Sequence, residues 1–147
     1  MKLKSKTDTK NLVNITEVTV RFSEVDALGI VWHGHYLKFF EDGRESFGKQ
    51  YGLGYLDVYR NELLIPLVNI QVDFKRTVKY GDGIIIRTTF HDSPAAKILF
   101  TYEISRTSDK EVVATGSSTQ VFMNKDHELY ITMPPFFEIW KKEQKLI

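Results

Sequence analysis

One long amphipathic segment limits the folds that this chain can adopt. Large apolar residues and one glycine recur in it at steps of three and four, which places them on one face of a helix. These residues are Tyr36, Phe40, Gly43, Phe47 and Tyr51. The pattern predicts a helix that begins at about Gly34 and stops at Gly52 and Gly54. Gly43, inside the apolar face, indicates very close packing against another element.

The other regular segments are rich in strand-forming residues. One run precedes the helix, at Ile15–Phe22, and the others follow it at Leu63–Val78, Ile84–Phe90, Lys97–Ser105 and Glu111–Met123. A single long helix followed by a meander of strands predicts an α+β architecture, in which an antiparallel sheet packs on the helix.

The length of 147 residues fits one domain that spans residues 1–147. Met1–Asn14 is mostly polar, so we expect a flexible start over residues 1–14. Pro134 and Pro135 open a partly amphipathic tail, and proline suits the first turn of a helix. A C-terminal helix is therefore expected within residues 134–147.

Composition argues against several classes of function. The chain has no cysteine, which removes disulfides, a thiolate nucleophile and the usual zinc clusters. A formal net charge of +1 does not favour nucleic-acid binding. No apolar run approaches the ~20 residues of a membrane span, and the first residues do not resemble a secretory signal. We therefore expect a cytoplasmic protein.

The segment Arg21–Tyr36 contains the residues best suited to chemistry. Asp26 stands in a glycine-containing loop, seven residues before His33, and this loop leads into the predicted helix. The first N–H groups of a helix have no internal acceptor and carry partial positive charge. Acyl transfer needs a base or nucleophile on one side of a carbonyl group and an oxyanion donor on the other. The segment can supply both.

This segment also resembles a known family. Asp26, Gly29, Val31, His33 and Tyr36 match the pattern Asp-x-x-Gly-x-Val, then a Tyr, His or Asn position, then a Tyr and a long helix. The pattern is typical of the hot-dog-fold thioesterases, in particular the branch that resembles 4-hydroxybenzoyl-CoA thioesterase. The resemblance extends more loosely over Val18–Pro134, through Pro66, Phe74, Tyr80-Gly81-Asp82, Ser105-Arg106 and Pro134.

The resemblance implies a hot-dog fold, with a curved antiparallel sheet wrapped around one long central helix. It implies hydrolysis of an acyl-CoA thioester to free acid and CoA, without a metal or an organic cofactor. Asp26 would act as nucleophile or general base. The backbone N–H of His33, with Gly34 beside it, would bind the carbonyl oxygen. Homo-oligomers are also implied, as dimers or as tetramers built from two dimers, with active sites between protomers.

The roles of Asp26 and of the side chains near it can be interpreted in more than one way. Asp26 itself could be a simple cap, and the His33 imidazole could carry a proton or only line the pocket. Glu24 could raise the pKa of Asp26 by like-charge repulsion, or it could pair with Arg21 or Arg44. His33 and His35 are poorly spaced for two ligands on one helix face, so no metal site is expected.

Five further residues are candidates for substrate binding. Tyr36 is either a core residue or part of the wall of an acyl channel, and Glu41 is either a solvated carboxylate or a pocket residue. Lys75, Arg76 and Lys97 either contact the phosphates of CoA or belong to a solvated sheet edge.

Two alternative functions remain open at this point. The resembling branch often has two or three basic residues where this chain has Pro94-Ala95-Ala96-Lys97, which leaves room for an acyl-carrier-protein thioesterase. A non-catalytic module that binds acyl-CoA is the second alternative, although binding alone does not require the Asp26 carboxylate. The identity of the acyl group stays open.

Overall fold

The computed structural model describes residues 11–147, and its main feature is a five-stranded antiparallel sheet. The strands are β1 (Leu12–Thr19), β3 (Leu67–Phe74), β4 (Gly83–His91), β5 (Lys97–Arg106) and β6 (Val112–Val121). Their spatial order is β1-β4-β5-β6-β3, so β1 and β3 are the edges. Two short strands, β2 (Leu63–Leu64) and β7 (Met123–Asn124), pair separately. The helices are α1 (His35–Tyr51), α2 (Tyr55–Tyr59) and α3 (Pro135–Glu143).

The core lies between α1 and one face of this sheet. Alternate residues of β4 and β5 are buried, namely Ile84, Ile86, Thr88, Phe90, Ile98, Phe100, Tyr102 and Ile104. The apolar face of α1 packs on them, and the Phe47 ring lies 4.9 Å from Phe100 and 6.1 Å from Phe90 between centroids. The predicted α+β architecture, an antiparallel sheet packed on one long helix, is thus confirmed.

The α3 helix, within the predicted C-terminal tail, packs on the same core. Phe137 and Trp140 are buried, and Trp140 Nε1 donates a hydrogen bond to Tyr51 O at 2.7 Å. The ammonium group of Lys141, also buried, lies 2.7 Å from the Asp92 carboxylate. Within residues 11–147, no helix has the length and apolar character that crossing a membrane requires.

The first strand lies earlier in the chain than predicted. It covers Leu12–Thr19 rather than Ile15–Phe22, because Leu12 and Asn14 are buried and pair with β4. It ends where Phe22–Glu24 forms a 3-10 turn, stabilised by the Arg21 N–H bonded to the Glu24 carboxylate at 2.7 Å. Of the start expected to be flexible, residues 12–14 are strand, and residues 1–10 lie outside the described residues.

The predicted strand Leu63–Val78 is divided by Pro66. Proline has no N–H for a strand ladder. The residues before it, β2, pair with β7, whereas the residues after it, β3, pair with β6. The short α2 helix was not predicted, because five residues are too few to show a helical period. The N-terminus of this helix is capped by the Asp57 carboxylate, which accepts a hydrogen bond from the Gly54 N–H at 2.8 Å.

Gly43 lies where α1 meets β4. A Cβ atom at this position would lie 3.0 Å from Ile86 Cγ2 and closer still to Thr88 Oγ1. The glycine in the apolar face therefore allows the close helix–sheet approach that the sequence indicated.

We expect Gly43→Ala to lower the free energy of unfolding by about 1–2 kcal/mol. Because the Cβ atom would lie well inside contact distance of Thr88 Oγ1, we expect an overpacking cost of ~2–3 kcal/mol, in the upper part of the usual range, and the better helix propensity of alanine returns only ~1 kcal/mol. Chemical denaturation measures the difference. The control is Glu45→Ala on the exposed face of α1, which should change stability by less than ~0.5 kcal/mol. A Gly43→Ala protein as stable as the parent would contradict the prediction.

Candidate active site

Asp26 lies in a tight turn that fixes its carboxylate. Its N–H donates to Ile30 O at 2.8 Å, and its carbonyl accepts a hydrogen bond from the Gly29 N–H at 2.9 Å. Its Oδ1 accepts from the Leu28 N–H at 2.8 Å. Gly29 has a φ of +82°, in the left-handed region that favours glycine. Asp26 is half-buried, and its Oδ2 has no hydrogen bond to a described residue, so this oxygen is available for chemistry.

The two sides of this turn form a narrow hairpin that runs directly into α1. Val25 bridges Val31, and the Trp32 N–H donates to Glu24 O at 3.0 Å. The N–H of His35, the first residue of α1, donates to Trp32 O at 2.9 Å. The turn that carries Asp26 and the start of the helix are therefore one hydrogen-bonded unit.

Two N–H groups at the start of α1 are free. Neither the His33 nor the Gly34 N–H donates a hydrogen bond within residues 11–147. Gly34 is the N-cap of α1, and the Trp32 ring covers it so closely that a Cβ atom would lie 2.5 Å from Trp32 Cη2. Since N–H groups at a helix N-terminus carry partial positive charge, these two can bind a carbonyl oxygen or an oxyanion.

The buried carboxylate of Glu24 fastens the hairpin to α1. It accepts hydrogen bonds from the Arg21 N–H at 2.7 Å and from Lys38 Nζ at 3.1 Å, and the Arg21 guanidinium lies 3.2 Å away. Burial alone would raise the pKa of Glu24, but the Arg21 N–H and the Lys38 ammonium group outweigh it, and the pKa is lowered. Of the partners suggested by the sequence, Glu24 pairs with Arg21 and not with Arg44; Lys38 is a partner that was not predicted.

We expect the parent to have a higher free energy of unfolding than Glu24→Gln at neutral pH, and this difference should shrink as the pH falls. Because the pKa of Glu24 is lower in the folded state than its ordinary value of 4.5, the unfolded chain binds the proton first. The stabilisation is thus fully present above that ordinary value and is lost as the pH falls through the folded-state pKa. Denaturation of both proteins from about pH 7 to pH 3 measures this, with Glu111→Gln, a half-exposed acid, as control. A difference that stays constant over this range would refute it.

The rings of Tyr36 and His33 both lie beside the ring of Phe74, the last residue of β3. The Phe74 ring centroid lies 5.1 Å from that of Tyr36 and 6.3 Å from that of His33. Tyr36 is buried, and burial raises the pKa of its phenol, so the group stays neutral at physiological pH. His33 is exposed. Tyr36 thus lies in the core beneath the helix start, whereas the His33 imidazole lies at the surface.

Two of the predicted cationic residues follow Phe74 directly. Lys75 and Arg76 are exposed, and Arg76 Nε donates to the Glu111 carboxylate at 3.0 Å. Their N–H groups both bond to Val113 O, which ends the β3 ladder. They lie on the same end of the sheet as the helix start, and Lys75 has no ion-pair partner within residues 11–147.

Lys97 lies at the other end of the sheet. It pairs with Val121 of β6, whereas Phe74 lies opposite Ala114 of the same strand. These two β6 residues are seven positions apart, which corresponds to ~23 Å at ~3.3 Å per residue. One chain therefore does not bring Lys97 to the Asp26 hairpin, and Lys97 would need a second protomer to approach it.

A cavity of about 960 Å³ lies beside the second half of α1. It is bounded by α2, by Ile65 and Pro66, and by inward residues of β5 and β6 such as Phe100. Glu41 lines it, and its side chain is largely exposed.

Two polar residues that line this cavity, Arg44 and Gln120, were not predicted as site residues from the sequence. Arg44 lies one turn after Glu41 on the same helix face, and Gln120 is a polar residue at a buried position of β6. That spacing and that strand alternation are the signals that could have identified them.

Comparisons with known proteins identify the family of this chain. A family model described as the thioesterase-like superfamily matches residues 20–140. The Bacillus subtilis protein named "Putative acyl-CoA thioesterase YneP" is 29% identical over 128 residues, which cover 87% of this chain and 92% of the relative. A 1,4-dihydroxy-2-naphthoyl-CoA hydrolase of Rippkaea orientalis is 27% identical over 108 residues, or 72% of this chain and 78% of the relative.

A solved structure supports the same assignment. The 1,4-dihydroxy-2-naphthoyl-CoA (DHNA-CoA) thioesterase of Staphylococcus aureus superposes with a TM-score of 0.79 at 25% identity, covering 91% of this chain and 92% of that one. Family, fold and the implied class of enzyme therefore agree with the resemblance seen in the sequence. The chain belongs to the thioesterase-like superfamily, with a hot-dog fold, and is a thioester hydrolase.

Proposed function

We propose that the chain hydrolyses acyl-CoA thioesters to the free acid and CoA at the Asp26 hairpin. One observation carries this proposal: the half-buried Asp26 carboxylate is hydrogen-bonded into the same hairpin that leads to the free His33 and Gly34 N–H groups. The named activities of the relatives, on an acyl-CoA and on 1,4-dihydroxy-2-naphthoyl-CoA, support a CoA thioester as the substrate.

The chemistry needs two groups on opposite sides of the thioester carbonyl. The His33 N–H, with Gly34 beside it, polarises the carbonyl oxygen and stabilises the negative charge that develops there. Asp26 either attacks the carbonyl carbon, forming an anhydride that water then opens, or removes a proton from an attacking water. In both routes the C–S bond breaks, CoA leaves as the thiolate and takes up a proton, and the acid keeps the oxygen that was added.

We expect Asp26→Asn to reduce kcat/KM for a good acyl-CoA substrate by roughly a hundredfold or more, because the amide keeps the shape of the turn and loses the charge. Release of free thiol measures the rate. Asp126→Asn, an exposed acid in another turn, is the matched control and should retain parental activity. Near-parental turnover by Asp26→Asn would overturn the assignment.

The proposal includes a homodimer formed through the free edge of β3. This strand pairs with β6 on one side only, and it exposes Leu67, Val68 and Phe74. Exposed apolar residues on an unpaired strand edge favour pairing with another strand. Antiparallel pairing of two β3 edges about a twofold axis brings the end of the partner's β3, with its helix start, next to Ile65 and Pro66. These two residues line the cavity, so each site would combine the hairpin of one protomer with the cavity of the other.

We expect Val68→Lys to convert the dimer to monomers and to abolish most of the hydrolysis, because a buried unpaired ammonium group is costly at the β3 edge. Analytical ultracentrifugation and the thiol assay measure both effects. Ile15→Lys on the opposite edge strand is the control, since Ile15 and Val68 are each 59% exposed. An active Val68→Lys monomer would contradict the composite site.

An acyl-carrier-protein thioesterase is a second candidate. The observation that favours it concerns two of the three cations predicted to contact CoA phosphates: Arg76 is paired with Glu111, and Lys97 lies at the far end of the sheet. Hydrolysis rates for one acyl group on CoA and on a carrier protein separate the two functions. A strong preference for CoA supports the first and a strong preference for the carrier supports the second. Tight binding without cleavage of either would favour the non-catalytic module.

A further inference from the structure

Arg44 places a nearly buried guanidinium group in the wall of the cavity. Its side chain is only 14% exposed, and its nearest acid, Glu41, is 3.9 Å away and 66% exposed. Its Nη1 donates to the Tyr102 hydroxyl at 2.9 Å, and this hydroxyl also bonds to Ser118 Oγ at 2.6 Å. The positive charge is therefore held in place mainly by a neutral phenol and not by a close carboxylate.

The other cations of the cavity differ from Arg44 in their environment. Lys49 lies 3.5 Å from Glu45, and Arg60 lies 3.4 Å from Asp57. Both are well solvated, with side chains 78% and 68% exposed. A charge removed from water is costly unless it is paired, so Arg44 is the lining cation that gains most from an anionic partner.

The rest of the wall suits the chain of an acyl group. Leu53, Ile98 and Phe100 supply apolar surface to the cavity. Gln120 Nε2 is bonded to Ile65 O at 2.9 Å, which fixes that side chain too. An apolar pocket with a few fixed polar groups is the usual form of a small-molecule site. A planar guanidinium fork in such a pocket matches a carboxylate, or more weakly another acceptor oxygen.

We propose that Arg44 selects acyl groups that carry an oxygen acceptor on their distal part, with a carboxylate preferred. This inference rests on the proposed function, because it places the acyl group in the cavity and the thioester at the Asp26 hairpin of the partner. Arg44 is then a specificity residue, and its contact with Tyr102 orients the guanidinium group toward the cavity.

Matched pairs of substrates test this directly. The pairs are unsubstituted and ω-carboxylated acyl-CoAs of six, eight and ten carbons, starting with hexanoyl-CoA and adipoyl-CoA. For at least one chain length, we expect the parent to favour the carboxylated member in kcat/KM. Arg44→Gln should lower kcat/KM for that member by about 10–100-fold and change the unsubstituted member by less than about threefold.

Three further variants sharpen the test, and the first of them is the control. Lys49→Gln removes an exposed cation from the same helix and cavity and should leave the preference unchanged. Arg44→Lys keeps the charge without the fork, so it should retain a weaker preference, and it also decides the case if Arg44→Gln does not fold. Tyr102→Phe should reduce the preference, because it removes the group that orients the guanidinium.

A binding measurement separates this proposal from the proposed function. Dissociation constants of non-hydrolysable thioether analogues of the same pairs, measured by calorimetry, should show the Arg44-dependent preference even if no thioester is cleaved. The proposal is overturned if no pair shows a preference in the parent, or if Arg44→Gln or Arg44→Lys keeps the parental preference in full. If the analogues show the preference while Asp26→Asn remains fully active, the Asp26 assignment fails and the Arg44 subsite stands.

Discussion

The buried carboxylate of Glu24 joins the hairpin that contains Asp26 to the long helix α1. The carboxylate accepts hydrogen bonds from the Arg21 N–H and the Lys38 ammonium group, and it pairs with the Arg21 guanidinium. The backbone carbonyl of Glu24 accepts a hydrogen bond from the Trp32 N–H. The hairpin is also held by the Val31 N–H, which bonds to Val78 O at 2.8 Å, and the Glu24–Lys38 contact adds a direct side-chain link to α1. Because acyl transfer depends on the mutual position of a carboxylate and an oxyanion donor, an anchor two residues from Asp26 is well placed to preserve it.

The proposed reacting groups and the cavity for the acyl group lie in two different regions of the chain. In the proposed function, the hairpin and the first residues of α1 offer the groups that react with a thioester. The second half of α1, with α2 and the inner face of β5 and β6, encloses the cavity. These regions are not merged in one chain, and the unpaired β3 edge is the element that would bring them together in a dimer. In this view the edge strand is as important to function as Asp26, although it contributes no reacting atom.

The fold was predictable because its signals are periodic and local. The helical face from Tyr36 to Tyr51 and the alternation in the later strands are fixed by which side of each element is buried. The strand boundaries were less accurate. Pro66 removes one ladder hydrogen bond and divides the apolar stretch Leu63–Val68, and Glu24 ends the first strand by bonding to the Arg21 N–H.

The candidate site was predictable only in part. Asp26, His33 and Gly34 lie within one short segment, so sequence order alone placed them in one loop beside the helix start. The separation of Lys97 from that hairpin follows from strand pairing, and the anchoring of Glu24 by Lys38 joins residues 14 positions apart. The roles of Arg44 and Gln120 depend on a cavity that forms only when α2 and β5–β6 pack around α1. Such tertiary contacts leave no local pattern in a single sequence.

The most direct test of the account is a crystal structure with a non-hydrolysable acyl-CoA analogue bound. We expect the carbonyl oxygen of the analogue about 2.7–3.1 Å from the backbone nitrogen of His33, and an Asp26 carboxylate oxygen about 3–3.5 Å from the carbonyl carbon on the opposite side. A carbonyl group bound away from the start of α1, with Asp26 directed into water, would contradict it.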